Sequence, residues 1–413
     1  MSTDQQNRRE FIRRTTAGAA GIAQGAFGAP AKRVLGANDR LLVAQIGCGG
    51  RGMSWVAGQV YRFREQENTE IIAVCDVWKR NLNAAVDRVE KWYGKKPFAT
   101  SKYKEILSMK EIDAVGIATP DHMHSRILAD AARAKKDMYC EKPMASNLND
   151  ARDALHSVQD NQVICQIGVQ RRSDGRHKAA AELLQSGILG TISEIEAAWH
   201  DSGPRWLKPD YESIKEDEVD WEEFRMNLPR RPYNPMHFRC WHLWEDYTVG
   251  TPGLLGSHLV DVATWFMGDP MPLRAVALGG VYVWQDGREH ADTLDCTIEY
   301  PGFIVEYSTR LGNSKSGPEV TFYGTKGTFD TARFTAVGEG GGQDKLTEPV
   351  KVVPQKGEDH VQNWLQCIRT RETPNAPVQL GYAHSVMGIM CYKSWKYGNR
   401  FCYDAEREEI YPG

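Results

Sequence analysis

The chain has 413 residues, with 51 Lys and Arg against 54 Asp and Glu and a formal net charge of −3. No basic excess is available to hold nucleic acid, and no acidic tail is present. Nine cysteines lie scattered without C-x-x-C or any zinc-type spacing, which argues for buried free thiols rather than a metal site.

In chain order, Asn7-Arg8-Arg9-Glu10-Phe11-Ile12-Arg13 precedes a weakly apolar, Gly- and Ala-rich stretch, Ala17 to Ala29, and then Ala29-Pro30-Ala31. This resembles a twin-arginine export signal over residues 1–31. It implies the twin-arginine export machinery as a partner and a periplasmic or other extracytoplasmic destination. The apolar stretch is too short for a stable membrane anchor, and nothing later in the sequence is long and apolar enough for a span. About 380 residues would remain, enough for two domains with separate cores.

After a polar arm at 32–40, the run Leu42-Val43-Ala44-Gln45-Ile46 predicts a strand ending in Gly47-Cys48-Gly49-Gly50-Arg51-Gly52. A second run, Ile71-Ile72-Ala73-Val74-Cys75, ends in Asp76. Strand, glycine turn, helix, strand and acid is the order a dinucleotide site requires. Gly47 permits the tight turn, Gly49 lets backbone approach a pyrophosphate, and Gly52 lets helix and strand pack closely. Asp76 would accept hydrogen bonds from a ribose, favouring NAD over NADP, although Lys79 and Arg80 follow closely and could offset its repulsion of a 2′-phosphate.

Further strands are predicted at 114–118, 137–140 and 163–169, with helices at 125–135 and 149–158. That alternation predicts a doubly wound parallel sheet over 32–168. A helix at 170–186 follows. Strands at 192–200, 273–284, 292–300, 302–311 and 319–323 then lack intervening helices. They predict an α+β substrate domain at 169–356 with a large, open, mostly antiparallel sheet. Between them, 203–249 is Pro- and aromatic-rich. A helix is expected at 254–267, a glycine-rich surface loop at 338–343, and closing helices at 359–372 and 380–396 within a C-terminal segment, 357–413.

Glu141-Lys142-Pro143 ends a parallel strand, at the edge that faces the ligand crevice. There Lys142 could carry a lowered pKa and exchange a proton with a substrate hydroxyl. Thr119-Pro120-Asp121-His122-Met123-His124 ends the preceding strand, and its histidines read equally as helix-end packing or as catalytic groups. His258 and Asp261 share a helix face, so the carboxylate could orient the imidazole as a base. Ser257 beside them invites a hydrolase triad, but G-x-S-x-G is missing. Residues 201–247 interleave Trp206, Trp221, Tyr233, His237, Arg239, Trp241, His242, Trp244 and Tyr247, a mixture suited to stacking on sugar faces. No H-E-x-x-H or comparable spacing indicates a metal.

These motifs, with Gly168-Val169-Gln170-Arg171-Arg172 and Gly256-x-His258-x-x-Asp261, resemble the glucose–fructose oxidoreductase/inositol dehydrogenase (Gfo/Idh/MocA) family over about 36–400. The resemblance implies a Rossmann domain, a substrate domain, and last helices that return to the first domain. It implies NAD, less readily NADP, held by Gly47, Gly49, Gly50, Arg51, Gly52, Asp76, Thr119, Pro120, His122, His124, Glu141, Lys142 and Gln170. It also implies a carbohydrate contacted by Arg171, Trp241, Tyr247 and His237, and a homo-oligomer. Lys142 and His258 would flank the reacting carbon. Many relatives carry Asp four residues before that histidine, where this chain has Leu254. The leading expectation is an oxidoreductase acting on a sugar or polyol hydroxyl. The alternative is a redox-neutral NAD-dependent glycosidase or lyase, with His242, Tyr247 or His237 as a second base. A non-catalytic sugar-binding protein is a third. An exported enzyme would need its cofactor loaded beforehand and tightly held.

Overall fold

The computed structural model describes residues 39–413 other than 316 and 318. The export motif lies outside the described residues.

Six short strands form the first sheet: β1 (Leu41–Ile46), β2 (Thr69–Cys75), β3 (Phe98–Thr100), β4 (Ala114–Ile117), β5 (Asp137–Cys140) and β6 (Cys165–Ile167). Their spatial order is β3-β2-β1-β4-β5-β6, and all neighbours run parallel. Strands covered on both faces read as unbroken apolar runs, and all four residues of β4 are buried. The chain order reverses between β1 and β4. The crevice for a ligand therefore opens at their carboxyl ends.

Ten strands form the second sheet: β7 (Ile192–His200), β8 (Arg274–Gly280), β9 (Thr293–Tyr300), β10 (Phe303–Arg310), β11 (Glu319–Gly324), β12 (Thr328–Asp330), β13 (Thr335–Val337), β14 (Val350–Lys351), β15 (Phe401–Asp404) and β16 (Glu409–Pro412). Only β7 and β10 pair in parallel; the rest are antiparallel. In β10, Phe303, Val305, Tyr307 and Thr309 point inward, and the residues between them lie on the outer face.

Two cores flank the first sheet. On one face Val43, Val74, Val60 and Val89 meet Trp364, Leu365 and Ile368 of the helix His360–Thr370, so that helix does return to the first domain. The other face is continuous, through the helix Val378–Tyr397, with the inner face of the large sheet. A third core ties Trp78, at the end of β2, to Trp221, Phe224, Phe238 and Tyr247 of the aromatic insertion.

Several boundaries differ from the sequence reading. The helix expected from 125 begins at Asp121, directly after Pro120, whose extended ψ of 152° sets the entry. The helix expected over 170–186 is broken into a tight turn, Gln170–Ser173, and a helix, Gly175–Gln185, because the Asp174 side chain caps the second piece. The C-terminal segment is not purely helical: β15 and β16 extend the large sheet beyond β8. All nine cysteines are free, and only Cys402 is not buried. Among the described residues no helix is long and apolar enough to cross a membrane.

Candidate active site

A cleft of about 470 Å3 runs along the carboxyl edge of the first sheet. Gly47, Asp76, Thr119 and Lys142 follow β1, β2, β4 and β5, so four neighbouring strands each deliver one chemically distinct group to one edge. Across the cleft stand Phe238, Arg239, Trp241 and His242 from the insertion, with Leu254 and His258 from the second domain.

The glycine turn is dictated by space. Gly47 has φ +84°, and a Cβ there would strike the Ala118 carbonyl. A Cβ on Gly52 would run into the Gly47 carbonyl oxygen, so Gly52 serves helix–strand packing and does not line the cleft. A Cβ on Gly50 would meet nothing within 4 Å, so this backbone faces open space, as a phosphate cradle must. The Thr119 hydroxyl, also on the cleft, is buried without a partner. Asp76 accepts the N–H of Cys48 at 2.7 Å and of Trp78 at 2.8 Å. Burial still pushes its carboxyl up to about 6. These features fit a dinucleotide.

Arg51 and Glu141 form an ion pair at 2.6 Å on the cleft wall. With its amide turned to satisfy both ends, Gln170 donates to the Gly168 carbonyl at 2.8 Å and accepts from Arg51 at 3.2 Å. Gln170 thus braces Arg51 from outside the cleft lining. Lys142 Nζ donates to the Leu254 carbonyl at 2.7 Å. That carbonyl lies in a wide-turn helical segment, Pro252–Gly256, ahead of the α-helix Ser257–Phe266. Wide turns recur at functional sites because they re-aim backbone groups. Burial lowers the Lys142 pKa, and the nearby carboxylates of Asp121 and Glu141 draw it back up.

His258 lies on the cleft, its ring 6.0 Å from Trp199, and burial holds it neutral, reinforced by Lys142. His242 stacks on Trp241 at 3.6 Å and on Trp206 at 5.5 Å; burial lowers its pKa in the same way, and its Nδ1 has no partner. The cleft therefore sets the Lys142 amine against the His258 and His242 imidazoles, both kept neutral by burial.

Several other predicted residues do not reach the cleft, and one that does has its ring nitrogens engaged. Asp261 does not orient His258: its buried carboxylate pairs with Arg172 at 2.7 Å and faces His384 Nε2 at 3.2 Å, because a charge turned into the core needs a cation there. Arg171 donates to the His258 carbonyl at 3.4 Å, behind the cleft. His122 is buried with Nε2 on the Phe224 carbonyl at 2.7 Å, and burial pushes it down to about 4. His237 stacks on Trp244 at 4.0 Å and faces the Tyr247 hydroxyl at 3.4 Å; both belong to the insertion's own packing. His124 lines the cleft, but its ring nitrogens meet the Pro143 and Thr119 carbonyls, each at 2.8 Å, so it braces the loop carrying Lys142. Pro120 and Glu141 line the cleft as expected.

Sequence reasoning gave no role to Trp78, Asn81 or Asp121, which also line the cleft. Asp121 accepts from Thr248 at 2.7 Å, and burial raises its carboxyl to about 7. Its place directly after Pro120, at the same strand end, was the available signal.

A parallel sheet with its glycine turn, strand-end acid and strand-end lysine defines an NAD-binding Rossmann oxidoreductase domain joined to an α/β domain. Residues 41–169 match the description "Oxidoreductase family, NAD-binding Rossmann fold", and residues 223–402 match "Oxidoreductase family, C-terminal alpha/beta domain". The chain belongs to the Gfo/Idh/MocA family. It is 26% identical over 166 residues to an inositol 2-dehydrogenase of Rubrobacter xylanophilus, covering 40% of this chain and 45% of that one. It is 28% identical over 166 residues to a glycosyl hydrolase family 109 protein of Shewanella baltica, covering 39% and 35%. The chain spans less than half the length of the curated relatives it matches. The WlbA dehydrogenase of Bordetella pertussis, solved with NADH and UDP-GlcNAcA, shares the fold at TM-score 0.65 and 18% identity, covering 89% of this chain and 98% of that one.

Proposed function

We propose that this chain is an NAD-dependent oxidoreductase acting on a hydroxyl-bearing carbon of a sugar or polyol. The supporting observation is the convergence of Lys142, His258 and His242, from three separate elements, on one cleft shared with the glycine turn and Asp76. Bound NAD supplies the acceptor for a hydride. Lys142, tethered to the Leu254 carbonyl and lowered by burial, exchanges a proton with the substrate hydroxyl. His258, held neutral, accepts a proton or a hydrogen bond from the same substrate. Trp241 offers an apolar face for a sugar ring. The inositol 2-dehydrogenase relative supports this substrate class.

His242 and Leu254 favour a second reading, redox-neutral cleavage of a glycoside. Oxidation beside a C–H bond acidifies that hydrogen, and a second base is then required. His242 is neutral, stacked in place and carries an unpartnered nitrogen. The family 109 relative points the same way.

One experiment separates the two. Full-length protein is given NAD with free sugars and with aryl glycosides, following absorbance at 340 nm and aglycone release. Stoichiometric NADH from a free sugar selects the first reading. Aglycone release without net NADH selects the second. Binding of sugar with neither product overturns both.

Export by the twin-arginine route is part of the same proposal, supported by Arg8-Arg9 and the stretch after it. Fusion of residues 1–31 to a reporter that requires that route tests it; a reporter retained inside the cell refutes it. Self-association is supported by the outer face of the large sheet, where Val276 and Leu278 stand exposed. Native mass spectrometry reads it directly, along with any co-purifying nucleotide.

A further inference from the structure

Asp76 alone does not settle the choice between NAD and NADP, because two cations follow it in the chain and a third lines the same cleft. Lys79 and Arg80 follow in sequence, and Arg239 comes across the cleft from the insertion. A 2′-phosphate carries between one and two negative charges, and a guanidinium fork is its preferred partner. Left free, these groups would accept NADP.

The structure occupies all three. Arg239 forks onto Asp210, with Nε to Oδ1 at 3.0 Å and Nη2 to Oδ2 at 3.2 Å. Arg80 Nη1 lies 3.9 Å from the same carboxylate. Lys79 Nζ donates to the backbone carbonyl of Asp217 at 2.5 Å. The arrangement is joined to the ribose acid through Trp78: the Arg80 and Arg239 guanidinium carbons are 5.0 and 5.7 Å from its ring, and its backbone N–H donates to Asp76. The Arg239 pairing also holds the Asp210 carboxyl below its usual range.

We propose that Asp210 is a cofactor-specificity residue, which excludes NADP by occupying the Arg239 fork and screening Arg80 at the ribose end of the cleft. The inference rests on the reading of Asp76 as the ribose acid. It places part of the NAD preference on the insertion, outside the Rossmann domain. Lys79 is held by a backbone oxygen, so side-chain changes at Asp217 leave it in place.

The test is calorimetric titration of full-length protein with NAD and with NADP, beside thermal shifts with each nucleotide. Asp210→Ala should tighten NADP about tenfold and leave NAD within about twofold. Asp210→Glu should restore the wild-type ratio, and adding Arg239→Ala to Asp210→Ala should cancel the gain. Asp210→Asn, which keeps the shape and loses the charge, makes the same test if the alanine variant does not fold. A charge-free variant that binds NAD normally and NADP no more tightly than wild type overturns the proposal. Asp76→Ala, run in parallel, separates it from its premise. If that change leaves NAD affinity untouched, the ribose reading fails. If it weakens NAD while Asp210 proves inert, only the present proposal fails.

Discussion

On one wall of the cleft, Gly47, Asp76, Thr119 and Lys142 stand at the ends of four adjacent parallel strands. On the other, Trp241, His242 and Arg239 ride on an insertion that has no sheet beneath it and is held by aromatic packing and ion pairs. The first wall is positioned by backbone: strand spacing and register fix where each side chain emerges. The second is positioned by side chains, whose stacking geometry decides which ring nitrogen faces the cleft. A backbone-built wall is robust to sequence change. A side-chain-built wall can be re-aimed by one substitution, so the insertion is the place to look for substrate choice.

The contrast can be broken by measurement. Lys142→Ala should cut kcat by about 10³, within the range for loss of a proton-transfer group, while NAD affinity stays within about twofold. Unchanged turnover would leave the strand-end wall without a chemical role. His242→Ala should cut glycoside cleavage by about 10² and spare oxidation of a free sugar; equal losses in both would make the insertion merely a shaping element. Asp76, with a carboxyl near 6, is mostly ionised at pH 7 and mostly protonated at pH 5. NAD affinity should fall about tenfold across that interval, and Asp76→Asn should flatten the profile. Trp241→Ala should raise KM for the sugar several-fold with kcat nearly constant, as expected for a stacking contact worth about 1 kcal/mol.

The same contrast explains what could be read in advance. The glycine turn, Asp76 and Lys142 were legible because period and spacing place them at strand ends whatever their neighbours do. Parallel strands such as β4 announced themselves as apolar runs, and β10 by alternation. The histidines of the aromatic setting could not be told apart in advance. His122, His237 and His242 share an aromatic setting, yet only His242 reaches the cleft, and tertiary packing alone decides this. Asp261 misled for a related reason. Helical spacing puts it on the His258 face, but its rotamer answers to Arg172 and His384, which lie 89 residues before it and on the helix Val378–Tyr397. The strands after 324 are two to four residues long, too short for a period to declare itself.

The bond from Lys142 to the Leu254 carbonyl has an evolutionary reach. The tether belongs to the main chain, so nearly any side chain can stand at 254 without releasing the ammonium. An acid or an aliphatic group could stand there, and so change which molecules are welcome, while Lys142 keeps its place. Diversification at that position is thereby decoupled from inheritance of the underlying chemistry.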